Sequence, residues 1–186
     1  HLVHVMESSF ARFGYQPVET PVMEKLETLT GKYGEEGDRL LFKVLESGDY
    51  LRKANEAALD ARDSTALTPS IAKKGMRYDL TVPLARYAVQ HRNDLAFPFK
   101  RSHIAPVWRA DRPQRGRYRE FYQCDVDVVG SDSPFCEAEL LRLYAEVFHQ
   151  LGLKVAVRVN DRRLLTGLMD AVGLGDEAQQ AITVLD

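Results

Sequence analysis

Cysteine is nearly missing from this chain: Cys124 and Cys136 are the two thiols in 186 residues. They are too few for a disulfide framework and lack zinc-ligand spacing, and so low a count points to a reducing compartment, the cytosol. Long hydrophobic runs are missing too. The longest is a few residues, against the roughly 20 that cross a bilayer, so no membrane association is expected. No charged-then-apolar leader opens the chain; it starts at His1 without Met and is read as cut from something longer. Net charge is almost absent: a total of −2 supplies no global field to draw nucleic acid or an anionic membrane. There is no internal repeat, no low-complexity tract, no Ser-His-Asp order, no Walker loop and no Rossmann glycine triplet. His4, His91, His103 and His149 show no metal-ligand spacing and read as structural or surface histidines. What is present is ordinary for a soluble globular chain: 45% hydrophobic and 28% charged residues. That length buries well over half of its unfolded surface without a disulfide or metal staple.

Periodicity predicts a helix over 1–13, with Leu2, Met6, Phe10 and Phe13 on one face and Gly14 as its left-handed cap. Pro17 and Pro21 then exclude helix and favour an extended edge or interface segment. Residues 31–38 read as a glycine-rich charged loop, 40–45 as a short strand, and 46–49 as a turn closing a hairpin. Residues 52–75 read as a partly mobile insertion with a helical piece, and 76–80 as a strand. Thr81 is placed as the cap of a helix over about 83–91. Residues 97–109 form a long extended segment with a break near Pro106; 111–118 are a polar loop and 121–129 a strand. Ser133-Pro134 starts a helix with a buried stripe of Phe135, Ala138, Leu141, Ala145 and Phe148. Val155, Val157 and Val159 predict a strand over 153–159. A helix over 161–172 stops at Gly173, and a last helical stretch reaches Asp186. The expected fold class is α+β: a mostly antiparallel sheet flanked by helices, built around a long hairpin.

Local charge shows what the total hides. From Lys100 to Arg119 seven cations (Lys100, Arg101, Arg109, Arg112, Arg115, Arg117, Arg119) face one acid, Asp111. Arginine's planar fork binds phosphate oxygens in pairs and keeps its charge; the plainer alternative is a solvated basic loop. The following strand shifts the balance. Its side chains alternate faces. Tyr122, Cys124, Val126 and Val128 form one face, read as the core side. Phe121, Gln123, Asp125 and Asp127 form the other, read as the floor of a polar pocket with an aromatic plate at its mouth. Phe121 can stack on a nucleobase, and Asp125 or Asp127 can hold a metal or a cationic group; a solvent-wetted sheet face is the alternative. Cys124 and Cys136 read as packing residues. Arg109 and Asp111 share a parity, so both can enter the pocket, with Trp108 turned to the core. Asp79 and Thr81 can hold an ammonium group, or simply cap a helix.

Two stretches carry a resemblance. Residues 77–87 (RYDLTVPLARY) and the run from Trp108-Arg109-Ala110-Asp111-Arg112-Pro113 through Arg117-Tyr118-Arg119-Glu120-Phe121-Tyr122-Gln123-Cys124-Asp125 resemble the histidyl-tRNA synthetases, a class II family. Its second signature motif is an arginine–acid pair, a loop and an aromatic strand. Residues 14–21 resemble the first motif, whose proline lies at a dimer interface, and 31–34 also fit.

The resemblance implies the class II catalytic-core fold, cytoplasmic localisation, and L-histidine, ATP with Mg²⁺, and tRNA(His) as ligands. It implies that Arg109 binds the α-phosphate and polarises it during attack. Asp111, where glutamate is more usual, contacts the adenine amino group; Arg117 holds the γ-phosphate and Phe121 stacks on adenine. Asp79 pairs with the α-ammonium of histidine, with Thr81 beside it. Gln123 contacts the amino acid, and Asp127, again Asp for Glu, sits near its imidazole or near magnesium. Arg112 and Arg115 approach the tRNA acceptor end, and residues 1–21 form a homodimer interface. A third motif, a Gly-Asp-Tyr-Tyr segment and an anticodon-binding domain are not found in this sequence, so the chain is expected to be the N-terminal portion of a catalytic domain. Two rivals stand beside the ligase. One is the synthetase-like regulatory subunit of ATP phosphoribosyltransferase, which the intact basic ATP loop disfavours. The other is a plain nucleic-acid-binding domain, which leaves Asp79, Gln123 and Asp127 unexplained.

Overall fold

In chain order the elements are α1 (Leu2–Arg12), β1 (Gln16–Pro17), β2 (Met23–Lys25), α2 (Leu26–Leu29), α3 (Gly34–Arg39), β3 (Lys43–Val44), α4 (Glu56–Asp60), α5 (Ser64–Ile71), β4 (Lys74–Met76), α6 (Thr81–Gln90), β5 (Phe99–Trp108), β6 (Glu120–Val129), α7 (Phe135–Gln150) and α8 (Arg162–Ala171). They come from a computed structural model that describes residues 1–175 and 180. The chain divides into two compact units, His1–Val147 and Phe148–Asp186.

The first unit is α+β, but its strands form two small sheets. One has the order β1-β5-β6 and the other β2-β4-β3. The β5–β6 hairpin is a ten-pair antiparallel ladder from Phe99↔Val129 to Trp108↔Glu120. Pro106 does not break it. The Pro106 carbonyl accepts from Arg77 Nε at 2.9 Å, and N–H and C=O of one residue face the same edge of an antiparallel strand. The missing donor therefore points away from β6 and costs no ladder bond.

α1 ends where expected, at Gly14 with φ +81°, but it buries Val5, Ser9 and Phe10 while Leu2 stays exposed. The two-proline segment is extended: β1 lies parallel to β5 on the sheet edge. Residues 34–39 are helical where a loop was expected. The strand expected over 40–45 is two residues long, and the turn at 46–49 closes no local hairpin. β3 pairs instead with β4, at Lys43↔Gly75 and Val44↔Lys74. Residues 45–73 are therefore the hairpin's excursion, and they hold two capped helices rather than one helical piece. Asn55 Oδ1 accepts from Ala58 N, and Asp63 Oδ1 accepts from Thr65 N and Ala66 N. Gly75 is required by space: a Cβ there would lie 3.0 Å from the Phe42 carbonyl and 3.2 Å from methyls of Leu26 and Leu29. The strand expected over 76–80 sits earlier, at 74–76. α6 begins at Thr81 itself, so Thr81 is the first helical residue and makes no capping bond.

α7 starts as expected, with Ser133 Oγ accepting from Phe135 N. Its buried side is Leu143 and Val147; Phe135 is 82% exposed. In the second unit α8 is capped by Asp161. Bonding to Arg163 holds the Asp161 carboxyl down at about 2. The strand expected over 153–159 is not formed: Val155, Val157 and Val159 are exposed, and no strand among the described residues pairs with them. Alternation alone makes no strand without a ladder to join. The last expected helix, toward Asp186, lies almost wholly outside the described residues.

Leu80, Ala105 and Val107 form a buried cluster against which Phe121 packs. Leu80 is fully buried, so truncation leaves a cavity at the centre of the hairpin. Leu80→Ala is expected to cost about 2–5 kcal/mol in urea unfolding, and Val89→Ala, at a position 72% exposed, less than about 0.5 kcal/mol.

Candidate active site

Register decides which side chains meet. Residues directly opposed in an antiparallel pair share a face. Phe121 therefore lies beside Val107, Gln123 beside Ala105, Asp125 beside His103 and Asp127 beside Arg101. The expected row of Phe121, Gln123, Asp125 and Asp127 does share one face. The assignment of the opposite face to the core does not hold: Tyr122 is 67% exposed and Cys124 is exposed. On that side Lys100 Nζ meets Glu139 of α7 at 2.6 Å, so α7 covers only the Val128 end of the strand. Phe121, on the polar row, is the residue that packs on the core. Trp108 is half-buried, its indole N–H donated to Glu120 at 2.8 Å.

Arg109 continues from β5. Its Nε donates to the Tyr78 carbonyl at 3.1 Å. Its guanidinium lies 4.2 Å from the Tyr78 ring centroid and 5.1 Å from that of Phe121. Two aromatic faces thus steer the cation, and the Tyr33 ring backs Tyr78 at 4.5 Å. Asp111 and Arg117, expected at opposite ends of one nucleotide, hold each other. Arg117 Nε donates to Asp111 Oδ2 at 3.1 Å, and Nη2 lies 3.0 Å from Oδ1. Arg119 Nε donates to the Asp111 carbonyl at 3.0 Å. Asp111 is buried by this closure, while Arg112 and Arg115 stand exposed on the loop.

The other end of the row is acidic. Asp79 Oδ1 accepts from Val82 N at 3.1 Å and from Tyr33 Oη at 3.0 Å, so Asp79 does the capping expected of Thr81, which is exposed. Burial, with Asp79 beside it, pushes the Tyr33 hydroxyl up. Arg101 is fully buried and donates Nη1 to Asp127 Oδ2 at 2.8 Å. Burial still wins at Asp127: its carboxyl is raised, against the opposing pull of Arg101 and with Asp79 adding to the rise. Asp125 is raised by burial, then by Asp127, with Arg101 opposing and Asp79 adding. The Oε1 of Gln123 is buried with no hydrogen-bond partner among the described residues. Carboxylates crowded beside an unpaired amide oxygen suit a small ligand carrying an ammonium group or N–H donors, since each buried acceptor without a donor is costly.

Magnesium fits Asp127 poorly. Arg101 already occupies one of its oxygens with a fixed positive charge, and no group of three or more metal-ligating side chains occurs among the described residues.

The structure thus gathers Phe121, Gln123 and Asp127 on one face, Arg109 against Phe121, and Asp79 close enough to bias both strand carboxylates. Thr81 stands exposed at the start of α6, two residues from Asp79, and Asp111 and Arg117 are paired with each other. Sequence reasoning passed over Tyr33, Tyr78, Arg101 and His103 as site residues. The signal for the last two was the two-residue alternation on the strand opposite the acids.

Solved structures share this architecture. A histidyl-tRNA synthetase from Nostoc sp. PCC 7120 superposes with a TM-score of 0.69 at 29% identity, covering 92% of this chain and 35% of that one. A pyrrolysyl tRNA synthetase from Desulfitobacterium hafniense, 14% identical with a TM-score of 0.63 and matched over 86% of this chain and 47% of its own, shares the fold alone. The class is that of the class II aminoacyl-tRNA synthetases. The family model described as histidyl-tRNA synthetase matches residues 44–185. The chain is 53% identical to a histidine–tRNA ligase of Christiangramia forsetii over its whole length, and 49% identical to one of Bacteroides fragilis. The chain belongs to the histidyl-tRNA synthetase family. It spans 41% of the length of each of these two relatives.

A carboxylate whose folded pKa is raised adds stability below its ordinary value near 3.8 and loses it as pH rises through the folded value. Asp125→Asn is therefore expected to raise the melting temperature by a few degrees at pH 7, with the gain shrinking toward pH 4. A thermal melt series over pH checks this; a lower Tm at pH 7 would show that Asp125 is paired in the folded chain.

Proposed function

We propose that the protein carrying this chain is a histidine–tRNA ligase and that the β5–β6 face is the activating site. The observation that carries the reading is the gradient along that face: an arginine on aromatic plates at one end, and at the other carboxylates with a buried, unpartnered amide oxygen at Gln123. The first end suits a nucleotide, the second an amino acid with a free ammonium and an imidazole.

On this reading the histidine carboxylate oxygen attacks the α-phosphorus of ATP. The new O–P bond forms as the bond to the pyrophosphate oxygen breaks, giving histidyl-adenylate. Positioning and charge neutralisation supply the catalysis. Arg109 meets the charge building on the α-phosphate, and Phe121 lies against adenine. Asp79 takes the α-ammonium, Gln123 Oε1 accepts an N–H of the amino acid, and Asp127 faces the imidazole. Arg117 exchanges Asp111 for the γ-phosphate, which frees Asp111 for the adenine amino group. Mg²⁺ bound with ATP would neutralise phosphate charge, and no step here is routed through it. Arg112 and Arg115 reach the acceptor end of tRNA(His). The exposed Leu2 and Val3 of α1, with the segment to Pro21, form a two-fold interface. The chain supplies the N-terminal portion of the catalytic domain in a cytoplasmic enzyme. No helix among the described residues is long and apolar enough to cross a membrane.

Arg109 is the test. A fixed guanidinium favours the transition state over the ground state, and loss of one such donor costs about 10²–10³ in rate. In the protein completed to its relatives' length, Arg109→Ala is expected to cut histidine-dependent ATP–pyrophosphate exchange by that factor. Arg109→Lys restores little, because an ammonium does not reproduce the fork. The 186-residue chain alone gives weak exchange or none. Exchange by Arg109→Ala near the unaltered rate would remove Arg109 from the mechanism and revive the regulatory-subunit reading.

A further inference from the structure

Among the described residues, Arg101 is the charged side chain with full burial at the acidic end of the polar face. A guanidinium there has five N–H donors and no acceptor capacity. Nη1 goes to Asp127 at 2.8 Å, and Nη2 to the Leu80 carbonyl at 3.2 Å and to His103 Nδ1 at 2.9 Å; Nε has no partner. Because arginine only donates, His103 Nδ1 carries a lone pair, and its proton sits on Nε2. His103 is buried on the same face, directly opposite Asp125. Burial, with Arg101 and then Arg77 nearby, lowers its pKa to about 4. The ring is thus the neutral form that the contact demands.

The arrangement has a direction. Asp127 has one oxygen pinned by Arg101, which leaves the other to face a ligand. Arg101 is itself held by a backbone carbonyl and by a neutral imidazole, so its fork has a fixed angle. Without the His103 acceptor, Nη2 keeps one long bond and the guanidinium can turn about its last torsion. Asp127 would then move with it.

We infer that His103 is a positioning residue that acts through Arg101 to aim Asp127 at the amino-acid side chain. This rests on the reading of the acidic end as the histidine site. Ligand contacts need placement within about 0.5 Å, so the loss falls on amino-acid binding rather than on the nucleotide end, where Arg109 and Phe121 are held by Tyr78 and the Leu80 cluster.

The test is histidine-dependent ATP–pyrophosphate exchange in the protein completed to its relatives' length. His103→Leu is expected to raise KM for histidine about tenfold, with KM for ATP within about twofold, the ATP value serving as the check on folding. His103→Asn keeps an acceptor oxygen at the place of Nδ1 and is expected to hold KM for histidine within about twofold. Arg101→Lys is expected to raise it as His103→Leu does, and the double variant no further, since coupled residues do not add. An Asn variant as impaired as Leu would overturn the proposal, and that arm decides alone if the Leu variant does not fold. Parallel rises in both KM values, or additive losses in the double variant, would overturn it as well. No exchange by the unaltered protein would instead overturn the ligase reading, and this proposal with it.

Discussion

Everything on the polar face of β5–β6 depends on the register of one hairpin. Ten consecutive pairs lock β5 to β6, and a slip of one residue would send Phe121, Gln123, Asp125 and Asp127 to the opposite face. Register is held at both ends by different means. At the apolar end, Val107 and Phe121 lie opposite each other over Leu80 and Ala105. At the polar end, Arg101 and Asp127 are opposed and ion-paired. A slipped hairpin would bury the arginine without its carboxylate, and leaving one member of a buried pair alone costs several kcal/mol.

Two buried arginines extend that control beyond the hairpin. Arg77 donates Nε to the Pro106 carbonyl and Nη1 to the Thr20 carbonyl, and its own backbone bonds Val22 and Trp108. It thereby ties the segment after β1, β4 and β5 into one block. Burial lowers its pKa, and Arg101 adds to this. The two cations thus stand close enough to repel, and each relies on fixed carbonyls to stay. Carbonyl dipoles serve here where extra carboxylates would add to an already acidic cleft.

The parts legible in sequence were those set by short-range rules. Alternation along 121–129 placed the polar row correctly, and Gly14, Ser133 and Asp161 mark helix ends by local bonding. Three kinds of feature were not legible. Which face of β6 is covered depends on where α7 lies, and α7 reaches only the Val128 end. The pairing of β3 with β4 spans two helices, and a turn at 46–49 says nothing about so distant a partner. His103 has no metal-ligand spacing and so reads as structural or surface, whereas its contact is with Arg101 two residues earlier. In the site itself, the family motif named Arg109, Phe121, Gln123 and Asp127, which share the face. It could not show that Asp111 and Arg117 spend their charges on each other.

That last pair sets the two ends of the cleft in different electrostatic states. At the Arg109 end the acid and the loop arginine form a closed fork, and a partly exposed fork of this kind is worth about 1 kcal/mol or less. Arg117 is 56% exposed, so water or a phosphate can replace Asp111 as its partner at little cost. At the acidic end no such exchange is available: Gln123 Oε1 is buried and unpartnered, and burial raises both Asp125 and Asp127. Folding relieves this at one Asp127 oxygen, which accepts from Arg101, and leaves Gln123 Oε1 without a donor. A ligand carrying N–H donors would relieve it. The apolar packing of Phe121 and the buried Arg101–Asp127 pair keep those acceptors in place while they go unmet, and this is how a stable scaffold holds a locally unfavourable site.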